Sequence, residues 1–172
     1  MADTPTARSQ DDATGRTIRA YEPRAVPWLS VVFGYGPMLP FVAGAVLVWI
    51  LRGPMAEAVF TVTLLWGCAI LLFLSGVRRG VSFRTEGGAT LAQIATMLSL
   101  FLLGYGALLA FALGKPVIAL GLLIVGFTEI TILDPIAARR GEAPLFFERL
   151  RPAQIPLAVL SLAALLAYRW AA

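Results

Sequence analysis

Five runs of apolar residues divide this chain, at about residues 28–51, 57–77, 91–113, 117–133 and 152–170, and nothing else in it constrains the fold as strongly. A helix needs about 20 apolar residues to cross a hydrocarbon layer about 30 Å thick. Inside that layer each backbone N–H and C=O must find its partner within the protein, which leaves helices as the only form open to segments of this length. The expected fold is an all-α membrane protein, a bundle of five transmembrane helices over residues 28–172. Of 172 residues 59% are hydrophobic and 14% charged, a balance that fits a membrane domain and not a soluble core.

The links between the runs set the topology. Arg52 to Met55 is short enough to make the first two spans an antiparallel hairpin, with Pro54 and Glu57 placed to start the second. Gly114-Lys115-Pro116 turns the third span into the fourth. Residues 1–27 hold no apolar core and read as a flexible cytoplasmic tail; Asp3, Asp11 and Asp12 argue against a mitochondrial targeting segment. Counted by side, 11 of the 14 basic residues fall in the tail, the second loop and the fourth loop, against Arg52, Lys115 and Arg169 on the other. Positive charge stays on the cytoplasmic side, so the amino terminus is expected in the cytoplasm and the carboxyl terminus in the periplasm. Trp28, Phe146 and Phe147 would mark one interface, Trp49, Tyr168 and Trp170 the other.

Several classes of chemistry are disfavoured by composition. There is no histidine, hence no imidazole for zinc, haem or general-base work. The one cysteine, Cys68, lies inside the second run and reads as a small packing residue. No nucleophile is paired with a base, and no metal or cofactor is implied. The net charge of +4 is spread between spans rather than along a groove, so it speaks for membrane topology and against nucleic acid.

Small residues point to helix contacts. Gly36, Pro40 and Gly44 recur every four residues in the first span, Gly104 and Gly126 sit inside the third and fourth, and such spacing lets helices approach closely. Prolines 37 and 40 are expected to kink the first span. The stretch from Pro144 to Arg151 mixes aromatic and basic residues and reads as a short amphipathic turn in the headgroup layer.

One acid lies well inside a run. Glu129 sits in the fourth span, five residues before Asp134, and a charge near the bilayer centre costs about 3 kcal/mol unless it faces protein or water. Arg78, at the end of the second span, reaches a similar depth by snorkelling and is the expected partner of Glu129. Asp134 is rotated by about 140° from Glu129 and is expected to end the helix beside Arg139 and Arg140. The pair admits two roles, a packing device or a proton or cation site in a transport path.

The run from Phe73 to Gly80, Phe-Leu-Ser-Gly-Val-Arg-Arg-Gly, resembles the Phe-Leu-Gly-Gly-Ile-Arg-Trp-Gly signature of the family named domain of unknown function 3429. Pro40-Phe41, Asp134 and the segment Phe147 to Arg151 fall where that family has similar residues, so Gly76, Gly80, Asp134, Arg149 and Arg151 become candidate positions at the inner interface. Ser75 and Arg79 stand where the family has glycine and tryptophan. The family includes proteobacterial proteins and mitochondrial transmembrane protein 69; the resemblance implies five helices and an inner-membrane address, but no activity.

These observations lead to an expected role as a non-enzymatic structural, accessory or assembly protein of the bacterial inner membrane, multi-pass, in contact with lipid and with a membrane-protein partner or further copies of itself. The alternative is a small proton- or cation-coupled transporter using Glu129.

Overall fold

The computed structural model describes residues 6–11, 17–22, 26, 28–83, 88–140 and 142–171. In the stretch expected as a flexible tail, β1 (Thr6–Asp11) and β2 (Thr17–Glu22) pair antiparallel, Thr6 opposite Glu22 and Asp11 opposite Thr17; the rest of that stretch, apart from Val26, lies outside the described residues.

Among the described residues the membrane domain is helical, with five helices long and apolar enough to cross a bilayer. The first is broken as its prolines require: α1 (Trp28–Tyr35) passes through a 3-10 turn at Gly36–Met38 into α2 (Leu39–Ile50). The break leaves the Pro37 carbonyl free to accept a hydrogen bond from the Trp66 indole at 2.9 Å, so the kink is tied to the neighbouring helix. The remaining spans are α3 (Pro54–Ser82), α4 (Leu91–Ala112), α5 (Pro116–Arg139) and α6 (Phe147–Ala171). Each helix packs on its neighbours in chain order and α6 closes the ring against α2. Phe41 and Phe127 meet edge to face at 5.3 Å within the buried core.

Even in the best-covered spans only 44% of an apolar 18-residue stretch is buried within the protein. The remaining apolar surface requires hydrocarbon around it, and the protein is a multi-pass membrane protein.

The helices overrun the expected spans chiefly on one side of the bundle. Helix α3 continues to Ser82, α5 passes through Pro135 to Arg139, and α6 already begins at Phe147. Hydropathy falls where charged residues begin, but the helical ladder does not stop there. Asp134 therefore does not end its helix, and of the segment Pro144 to Arg151, expected as an amphipathic turn, the part from Phe147 onward forms the start of α6.

Glycines permit the closest approaches. A Cβ on Gly44 would overlap the Thr63 side chain, one on Gly126 would strike Leu71 Cδ2 at 2.5 Å, and one on Gly104 would lie 3.1 Å from Leu72 Cγ. Gly36 has nothing within 4 Å of that position and Pro40 is exposed, so these two do not make the helix contact expected of them. The 3-10 turn rotates them away from the face that carries Gly44.

Overpacking a tight contact costs about 1–3 kcal/mol. Gly44→Ala and Gly126→Val should each lower the midpoint of unfolding in detergent by that equivalent, whereas Gly36→Ala should leave it unchanged, as followed by circular dichroism.

Candidate functional site

Three of the sequence candidates converge at one end of the bundle. Arg78 lies four residues before the end of α3, Asp134 five before the end of α5, and Arg151 four after the start of α6. At 1.5 Å per residue each is about 6–8 Å in from its helix end. Because successive spans run in opposite directions, those three ends lie at the same level, and their side chains meet. Arg78 Nη2 donates to Asp134 Oδ1, and Arg151 Nε lies 3.0 Å from Asp134 Oδ2. The second contact is one of charge, because the Nε hydrogen is not directed at the oxygen. Asp134 is 4% exposed and Arg151 7%. One buried carboxylate thus holds two guanidinium groups and ties α3, α5 and α6 together.

This arrangement corrects the expected pairing of Glu129 with Arg78. Glu129 lies more than a helical turn deeper and accepts a hydrogen bond from Ser99 Oγ at 2.8 Å, across the seam between α4 and α5. The Thr128 and Thr131 hydroxyls donate to the Ile124 and Phe127 carbonyls of their own helix and take no part. Of the other candidates, Arg149 points to the surface, and Gly76 and Gly80 are exposed with open space where a side chain would stand. Asp134 and Arg151 are the two of that group which the structure brings together.

Loops cover the charge cluster. Thr90 and Gln93 form a reciprocal cap at the start of α4: the Thr90 hydroxyl accepts from the Gln93 backbone, and the Gln93 side chain accepts from the Thr90 backbone at 3.0 Å. The Gln93 amide also donates to the Glu142 carbonyl at 3.1 Å, and the Thr90 hydroxyl to Glu142 Oε1 at 3.2 Å. The cap thereby joins the start of α4 to the loop between α5 and α6. Phe147 lies over the Arg151 guanidinium at 4.4 Å and shields it further. The Thr-x-x-Gln spacing was readable in the sequence; its second partner, Glu142, is 49 residues away and was not.

A larger cavity of about 190 Å³ adjoins the cluster between α1, α3 and the start of α6. Arg151 and Gln154 supply its buried polar lining; Phe33, Phe73, Ile70 and Met38 supply much of the rest. Gln154 is 2% exposed, and its Oε1 has no hydrogen-bond partner. Among the described residues no group of three or more Cys, Asp or Glu side chains is placed to hold a metal ion.

The opposite end is held differently. Trp49 and Tyr168 meet edge to face at 5.6 Å, Phe60 lies beside Tyr168, and Arg169 pairs with Glu57 at 2.8 Å in a largely solvated contact.

Removing one partner of a buried ion pair costs about 3–5 kcal/mol, because the other charge is left uncompensated. Asp134→Asn should therefore destabilise the protein by about that amount in detergent melts, and Glu129→Gln by less than about 1 kcal/mol, since an amide still accepts from Ser99. Equal effects of the two substitutions would contradict the pairing described.

No protein-family model, no curated protein and no solved structure matches this chain.

Proposed function

We propose that this protein is a structural or accessory subunit, of assembly type, in a larger complex of the bacterial inner membrane, with its amino terminus in the cytoplasm. The observation that carries this reading is the use made of buried charge. Arg78, Asp134 and Arg151 hold one another by charge between three helices, an arrangement that fixes packing. A transport path needs polar groups in succession across the bilayer, whereas Glu129 is engaged by Ser99 and the core beside it is formed by Leu123, Phe127 and Ile130. Exposed apolar side chains on the outward faces of the first span and α4, among them Val46, Trp49, Phe101, Leu102 and Tyr105, are available to a partner helix or a further copy. The resemblance of Phe73 to Gly80 to a family of inner-membrane proteins agrees with that address.

Two measurements test the reading. Native pulldown from membranes after crosslinking should recover a defined membrane-protein partner or oligomer; a lone chain under the same conditions refutes the subunit role. Cys68 is buried and is the one cysteine, so single introduced cysteines report topology. Lys115→Cys should react with a membrane-impermeant thiol reagent from outside the cell, and Arg140→Cys only after the membrane is opened.

A further inference from the structure

We propose that the cavity between α1, α3 and the start of α6 binds one anionic membrane phospholipid, with its phosphate at Arg151, its glycerol-ester region at Gln154 and an acyl chain between Phe33 and Phe73. Charge is the first argument. Two guanidinium groups share the single carboxylate of Asp134. The other nearby acid, Glu142, lines a smaller adjoining pocket together with Arg78, Asp134 and Arg151, and its carboxylate engages Thr90. The 190 Å³ cavity is lined by Arg151 and by neither acid. It therefore presents one cation, buried to 93% and short of a hydrogen-bond acceptor at Nε, to whatever enters. A buried charge in that state favours an anionic occupant.

The order of groups along the cavity is the second argument. Arg151 sits about 6 Å in from the start of α6, and Gln154 lies three residues, or about 4.5 Å, deeper. Ile70, eight residues before Arg78 on α3, is about 12 Å below the level of the charge cluster. From the interface inward the lining thus runs cation, amide, hydrocarbon, and a phospholipid runs phosphate, ester, acyl chain in the same direction. The Gln154 amide, 98% buried and making no hydrogen bond among the described residues, can donate through its NH2 group to an ester carbonyl. Cavities that enclose a whole small ligand are about 300–1,000 Å³, so this one holds only the glycerol region and the top of a chain. Phe33 and Phe73, 75% and 65% exposed, line it and face outward to the bilayer, where the remainder of the lipid would lie.

The full chain, purified in mild detergent, is incubated with equal amounts of phosphatidylglycerol and phosphatidylcholine and examined by native mass spectrometry. One bound phosphatidylglycerol per chain is expected, favoured about tenfold over phosphatidylcholine, which corresponds to about 1.4 kcal/mol. Arg151→Gln should abolish the preference. Should that variant fold poorly, Val77→Phe, which fills the cavity, and Gln154→Leu, which removes the amide, leave the charge cluster intact; each should lower lipid retention at least several-fold with an unchanged helical spectrum. Equal retention of both lipids by the wild type, or undiminished retention by folded Val77→Phe, overturns the proposal. Complete displacement by soluble glycerol phosphate would mean that an anion site without an acyl requirement exists, and would likewise overturn it.

Discussion

The bundle depends on one carboxylate shared between two arginines. In water, apolar helix faces associate because water is expelled; in a bilayer the surrounding lipid is as apolar as the helices, and that force is absent between them. Close packing and polar contacts must then choose which helices meet and at what height. The Arg78–Asp134–Arg151 cluster does this for three of the five spans at once. A slide of any one helix by a single turn, about 5.4 Å, would separate its charge from the others and strand it in the bundle. The cluster contributes register more than net stability, because burying the ions offsets much of what their attraction returns.

Its surroundings follow from that requirement. Asp134 is followed by Pro135, which cannot donate a backbone hydrogen bond to the Thr131 carbonyl, yet α5 continues for four more residues. The overrun is stabilised by Ala137 and Ala138, which are buried against Ala143 and Phe147 at the turn into α6. The same short turn delivers Arg151 to the carboxylate. The Thr90–Gln93 cap fixes the loop from the other side, so the charged layer is enclosed by loops that are themselves hydrogen-bonded.

The architecture was legible in the sequence because the bilayer imposes it: each apolar run is long enough to span, and no other secondary structure satisfies the backbone there. The kink at Pro37 and Pro40 and the close contacts at Gly44, Gly104 and Gly126 were legible for similar local reasons. The site was not. Glu129 is the deepest acid in the sequence, and depth alone points to Arg78 as its partner. Asp134, rotated by about 140° from Glu129 and close to Arg139 and Arg140, reads in the sequence as the end of its helix. Depth along one helix says nothing about which faces of two helices meet, and Arg78 turned out to face the later acid. Arg151, surrounded by aromatic and basic residues, reads in the sequence as part of an interfacial turn, although its inward direction comes from α6 starting a turn earlier than the hydropathy does. One signal was available: Arg78, Asp134 and Arg151 each lie within about two turns of a helix end on the same side of the membrane.

The two ends of the bundle are held by forces of different kinds, and this bears on where the protein can accommodate another molecule. At the far end the Arg169–Glu57 pair is 35% and 51% exposed at its side chains, a setting in which an ion pair contributes little, so aromatic packing of Trp49, Phe60 and Tyr168 carries the contact. At the near end α3, α5 and α6 are pinned by charge while α1, beyond the proline break, leans on α6. The gap opens beside that pinned layer. Closing it would require α1 to move toward α3, and Trp66, bonded to the Pro37 carbonyl just below, holds the break in place. The same two features, a fixed charge layer and a kinked first span, therefore leave a cavity that packing alone does not fill, with a cation at its interfacial end.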